Sequence, residues 1–171
     1  MSGFAVDIDV VRKANFFLDQ MAFDDGASYH YSFDTKAKQA KYNPSTTACA
    51  VLCRMYSGVP KDNPSIKAAV EKFDKAGPSK NGTYYNYYAT QVLKQVGGKE
   101  WERWNVRMRD QLLATQTTTG HAAGSWYWDD GHSTASGGRF YTTCMATMML
   151  EVYYRYMPLY NEQAAEDAFK L

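Results

Sequence analysis

The sequence predicts an all-α fold of about three helical hairpins, each pairing an outer helix with an inner one. Three observations carry this expectation. A short pattern recurs along the 171 residues, two kinds of helical segment alternate, and strand signals are weak.

The recurring pattern is clearest at the two ends of the chain. "KANFFLDQ" (13–20) and "RDQLLATQ" (109–116) superpose without a gap, each opening on a base, carrying paired apolar residues and ending in glutamine. "GASY" (26–29) follows the first and "GSW" (124–126) the second, while a weaker middle copy runs from "IKAAVEKF" (66–73) to "GTYY" (82–85). A second apolar segment comes after each glycine–aromatic signal: "STTACAVLCRMYSG" (45–58), "YYNYYATQVLKQVGG" (84–98) and "RFYTTCMATMMLEVYYRYM" (139–157). Two of these end in glycine, a helix stop, and the third runs into Pro158. The expected units are 7–58, 64–98 and 99–158 within one repeat domain over 1–160, followed by a polar tail at 161–171.

The two segments of a unit differ in kind. Trp101, Trp104, Met108 and Leu112 make one stripe, with Lys99, Glu100, Arg103 and Arg107 opposite, which predicts an amphipathic outer helix with one wet face. Tyr141, Met145, Met148, Met149, Val152 and Tyr156 form a stripe with little polar surface opposite, which predicts an inner helix surrounded by protein. Inner helices are expected at 43–57, 84–96 and 139–157, and the alternation describes a double-layered ring or arc. "SYHYSF" (28–33) alternates like a strand but is short and falls in a loop position.

Composition excludes several function classes. Nineteen basic and 18 acidic side chains leave a net charge of +1, so there is no electrostatic footprint for nucleic acid. No apolar run approaches a membrane span, and "MSGFAVDIDVV" lacks a basic segment followed by an apolar one. The chain as given reads as soluble, with the cytoplasm favoured. Three cysteines make no disulfide framework, and Cys49 and Cys53, four apart on an apolar helix, are expected to be buried thiols. Fourteen tyrosines, 8 phenylalanines and 4 tryptophans supply a core or an apolar pocket.

The unit of base, apolar pair, glutamine and glycine–x–aromatic resembles the QW-type repeat of squalene and oxidosqualene cyclases, whose α/α-toroid superfamily includes protein prenyltransferase β subunits. Over residues 10–160, "YYNYYATQVLKQVGGKEWERWNVRMRDQLLATQ", "GGRFYTTCMATMMLEVYYRYMPLY" and "STTACAVLCRMYSG" look more like the toroid-repeat domain of planctomycete-type bacterial prenyltransferase/squalene-oxidase repeat proteins. This resemblance implies a partial α/α toroid and no particular reaction. Protonating cyclases carry Asp-x-Asp-Asp-Thr-Ala at the start of an inner helix, and the chemistry needs an activated carboxylic acid. Here Thr47-Ala48 survive, while Asn43, Ser45 and Thr46 stand where the carboxylates would be. Tyr85, Tyr87, Tyr88 and Arg139, Tyr141, Thr142 occupy the corresponding triplets of the other units, and none is an acid. Prenyltransferases hold zinc with Asp, Cys and His on inner helices, whereas His30, His121 and His132 all fall in loops. No zinc-ligand set is evident, and no metal or cofactor is expected. A closed toroid takes about five to seven hairpins, so a partner is expected for open ends: a second copy, another subunit or the remainder of a longer chain.

The candidate site residues cluster around the last loop. Asp129, Asp130 and His132 read either as acid–base or cation-binding chemistry, or as a turn before a helix start, with Asp24-Asp25-Gly26 in a comparable place. Tyr84, Tyr85, Tyr87, Tyr88, Trp126, Trp128, Arg139 and Tyr141 are candidate ligand contacts, the alternative for the tyrosines being core packing. Arg139 is expected to pair with Asp129 or Asp130, or to bind an anionic ligand. The expected function is a non-catalytic binding or assembly module for a protein partner or an apolar, lipid-like molecule. The alternative is a terpenoid cyclase/prenyltransferase-like enzyme or a lyase using the Asp129/Asp130/His132 loop.

Overall fold

The computed structural model describes residues 6–32, 42–131 and 134–152. Helix α1 (Ile8–Met21) leads into a small hairpin of β1 (Ala22–Phe23) and β2 (Ser28–Tyr29). Helices α2 (Pro44–Tyr56), α3 (Pro64–Ala76), α4 (Thr83–Val96) and α5 (Gly98–Thr115) follow. A single 3-10 turn at Gly120–Ala122 then precedes α6 (Thr134–Leu150). The fold is all-α apart from that hairpin. Its turn places Asp24, Asp25 and Gly26 in the left-handed region, and the "SYHYSF" alternation is realised as the two residues of β2 paired with β1.

Local chemistry sets the helix ends. Asn43 and Asn63 accept hydrogen bonds from Thr46 and Ser65, each immediately ahead of a proline that needs no backbone donor partner. Gly77 and Gly97 close α3 and α4 with positive φ, the conformation that costs a residue with a Cβ most.

Helices α2, α4 and α6 pack side by side, and α3 and α5 lie together behind them. Helix α4 is the centre of the array, touching α2, α3, α5 and α6 and burying Tyr85, Ala89, Val92 and Leu93. The core continues through Ile66, Val70 and Phe73 of α3 and Trp104, Met108 and Leu112 of α5, the predicted stripe. The Trp104 indole donates to the Thr90 hydroxyl at 3.0 Å, so the largest buried ring keeps its one polar group satisfied. On the wet side of the outer pair, Asp74 is clamped by Arg103 at 2.6 Å and Arg107 at 2.7 Å.

The repeat is real at the level of hydrogen bonding. Thr47, four residues past the Asn43 cap, accepts from the Tyr29 N–H at 3.0 Å and donates to the Tyr29 carbonyl at 3.5 Å. Asn86, four past the Gly82 cap, accepts from the Ser79 N–H and donates to the Ser79 carbonyl, both at 2.8 Å. Thr142, four past the helix break at Gly138, donates to the Trp126 carbonyl at 2.5 Å, while Thr143 accepts from the Trp126 N–H at 3.1 Å. Each inner helix therefore holds the backbone of the loop before it. The middle copy corrects the expected register: "GTYY" lies at the start of α4, and the clasped loop residue is Ser79.

Two further expectations are corrected. Helix α6 begins at Thr134, before "SGG", and changes direction at Gly138 (φ 56°, ψ −149°). It is also not enclosed, because it is the last inner helix of the described array: Arg139, Phe140, Thr147 and Leu150 are exposed. The stripe residue Tyr156 lies outside the described residues.

Candidate functional site

The loop from Trp126 to Gly131 is anchored at nearly every residue. The Trp126 indole donates to the Leu112 carbonyl at 2.7 Å, and the Trp128 indole donates to the Thr83 hydroxyl at 2.7 Å. These two candidate contacts thus fasten the loop to the end of α5 and the start of α4. Asp129 accepts from the Gly131 N–H at 2.8 Å and the Thr134 hydroxyl at 3.1 Å. Asp130 accepts from the Thr134 N–H at 2.9 Å and the same hydroxyl at 3.0 Å. Both carboxylates sit on the donors at the start of α6, the geometry of a turn and helix cap. His132 lies outside the described residues.

Arg139 does not pair with either aspartate. Its guanidinium donates to the Thr117 and Ser125 hydroxyls, each at 3.1 Å, and lies 5.4 Å over the Tyr127 ring. The loop approaches α6 from the side of residues 117–127, which puts hydroxyls and an aromatic face where the sequence suggested carboxylates.

The tyrosines of α4 divide between two sides. Tyr85 is in the core, edge-on to Phe73 at 5.9 Å and to Trp104 at 5.7 Å between ring centroids. Its hydroxyl has no hydrogen-bond partner among the described residues, and burial raises its pKa. Tyr84, Tyr87 and Tyr88 face the other way and make a continuous ring cluster, with Tyr84 stacked on Tyr88 at 6.2 Å and Tyr87 edge-on to Tyr88 at 5.0 Å. Tyr84 also meets Tyr141 of α6 at 6.1 Å. This surface joins α4 to α6, and Tyr84 leaves it accessible.

The same surface continues onto α2 through Cys49 and Cys53. Cys49, Cys53 and the Tyr88 hydroxyl lie near enough to influence one another's ionisation. Cys53 is exposed and Cys49 half-buried, which corrects the expectation of two buried thiols. The neighbouring Cys49 thiol lowers the Cys53 pKa against the opposing effect of burial, and the same interaction, with burial, raises Cys49. Burial, reinforced by Cys49 and its neighbouring tyrosines, pushes Tyr88 up to about 12. Sequence reading placed the pair on one helix face correctly, but its accessibility depends on which neighbours α2 receives. Among the described residues no group of three or more His, Cys, Asp or Glu converges as metal ligands.

The ends of the array carry a second kind of surface. Helix α1 is held mainly by polar contacts from Arg54 of α2, which bonds the Asn15 side chain at 3.1 Å and pairs with Asp19. Only Met21 of α1 is buried, while Phe16 and Phe17 are 65% and 60% exposed. At the other end Phe140 of α6 is 81% exposed. No helix among the described residues is long and apolar enough to cross a membrane. No family model matches the chain, and no curated protein or solved structure is similar to it.

Proposed function

We propose that the chain is a non-catalytic helical repeat module that assembles edge to edge with a second copy of itself. The observation that carries this reading is the pairing of exposed aromatic residues at both ends of the array, Phe16 and Phe17 on α1 and Phe140 on α6. A repeat array exposes apolar surface at its ends unless something caps it. If the α6 end of one copy met the α1 end of the other, three hairpins from each would give a count inside the range of about five to seven that closed helical toroids use. The tyrosine surface would then line the interior, where an apolar molecule is the second ligand class favoured by the Tyr84–Tyr88–Tyr141 cluster.

The enzymatic reading rested on the acidic loop, where Asp129 closes the turn on the Gly131 N–H and Asp130 caps α6 at the Thr134 N–H. Sedimentation equilibrium tests the assembly. The wild type should approach twice the chain mass as concentration rises. Phe16→Ser with Phe17→Ser, and separately Phe140→Ser, should stay monomeric with unchanged circular dichroism. A wild-type protein that stays monomeric at its solubility limit would overturn the proposal.

A further inference from the structure

We infer that a second copy docks in the register of the internal repeat: its α1 takes on α6 the place that α5 takes on α4, and its Tyr31 closes on Arg139. This rests on the self-assembly proposed above and adds which faces meet and what fixes them.

The clasps align the units. Asn86 of α4 corresponds to Thr142 of α6, so Thr83 corresponds to Arg139 and Gln91 to Thr147. Thr83 and Gln91 are buried, whereas Arg139 and Thr147 are exposed. The outer helices show the matching deficit. Superposing 13–20 on 109–116, and carrying the same offset back along the helix, sets Phe16 on Leu112 and Ile8 on Trp104. Trp104 and Leu112 are buried in the core, while Ile8 and Phe16 are exposed. Helix α3 packs on α2 and α5 on α4, but no described outer helix packs closely on α6, and no described inner helix packs closely on α1. The face missing a cover on α6 and the face missing a support on α1 are therefore the two halves of one interface already built between α4 and α5.

The loops point to the same register. Trp126 is clasped by Thr142 and Thr143 as Tyr29 is by Thr47, so Trp128 corresponds to Tyr31, two residues further on in each loop. Trp128 reaches back to the start of the preceding inner helix and donates to the Thr83 hydroxyl at 2.7 Å. Tyr31 belongs to the first unit, has no preceding inner helix in its own chain, and is exposed. The start of α6 offers it Arg139 in place of Thr83. Donor and acceptor exchange together: an indole donating to a hydroxyl becomes a guanidinium donating to a phenol.

Arg139 is prepared for that contact. Arg12, Arg54, Arg103, Arg107 and Arg109 each pair with a carboxylate, but Arg139 pairs with none among the described residues. Its Nη1 is held by the Thr117 and Ser125 hydroxyls and the guanidinium lies over Tyr127, which leaves Nε and Nη2 without a described partner. A pinned arginine between aromatic rings, beside the exposed Phe140, has the composition of an interface hot spot. A twofold axis repeats the junction and closes the pair.

The test uses the full chain. Hydrogen exchange of the wild type, which needs no variant to fold, is compared at concentrations where sedimentation equilibrium finds monomer and dimer. Dimerisation should slow exchange in 8–21, 28–32 and 139–150 and leave 99–107 of α5 unchanged. Tyr31→Ala and Arg139→Ala should each weaken the dimer at least about tenfold, since the contact occurs twice, with circular dichroism unchanged. The double variant should be no weaker than the worse single one, as for two residues sharing one contact. A dimer protected elsewhere, or indifferent to both substitutions, would overturn the register and leave self-assembly standing. Protection of 139–150 that is already complete in the monomer would assign the cover to the same chain and overturn the register. A wild type that never dimerises would overturn both.

Discussion

One hydroxyl holds both polar groups of one peptide residue: Thr47 accepts from the Tyr29 N–H at 3.0 Å and donates to its carbonyl at 3.5 Å. Tyr29 is itself buried, and its phenol oxygen accepts from Arg54 at 3.1 Å. Removing the hydroxyl without changing shape strands a buried donor. Thr47→Val should therefore cost about 1–3 kcal/mol in urea unfolding. A change indistinguishable from zero would mean that the clasp contributes nothing.

The Tyr85 hydroxyl is the opposite case, a buried polar group with no partner among the described residues. Tyr85→Phe keeps the ring contacts with Phe73 and Trp104 and deletes the unsatisfied group. The variant should be more stable by about 1 kcal/mol. A loss of stability of that size would show that the hydroxyl is satisfied in solution.

Gly137 permits the approach of α6 to its own kink. A Cβ there would lie 2.5 Å from the Cβ of Tyr141, closer than two carbons tolerate. Gly137→Ala should cost about 1–3 kcal/mol through displacement of Tyr141 or the helix start. Thermal unfolding beside Gly124→Ala is informative, because position 124 has no neighbour within 4 Å and isolates the backbone strain of its positive φ.

The Asp74 cluster predicts an acid-sensitive contribution. Hydrogen bonds from Arg103, then the charges of Arg103 and Arg107, hold the Asp74 carboxyl below its ordinary value against the effect of burial. A carboxylate lowered in the folded state stabilises above the unfolded pKa, about 3.9, and loses that contribution as pH falls through the folded value. Wild type and Asp74→Asn should therefore differ at neutral pH and converge below about pH 4. Both arginines are largely exposed, so the difference should be under about 1 kcal/mol. A gap that widened in acid would contradict the assignment.

Helix periodicity was legible before the structure because it depends only on near neighbours in sequence. The Trp104–Met108–Leu112 stripe and the alternation of α2 through α6 follow from it directly. The clasps were half-visible: "STTAC" and "YTTC" repeat the threonines that perform them, but Asn86 carries no such signature. Arg139 was misassigned because its partners are fixed by the path of residues 117–127, which no local pattern encodes. The thiols were misread for a related reason. Spacing puts Cys49 and Cys53 on one face, but only the packing of α4 against α2 decides that this face remains open.

The central claim is that the α1 and α6 ends of two copies meet. Mixing a Phe17→Cys protein with a Phe140→Cys protein, both in a background with Cys49, Cys53 and Cys144 replaced by serine, tests it directly under mild oxidation. The account predicts that the mixed disulfide forms faster than either self-paired product and faster than with a Glu102→Cys control on the exposed side of α5. Equal rates for all pairings, or self-pairing through position 17 alone, would contradict it.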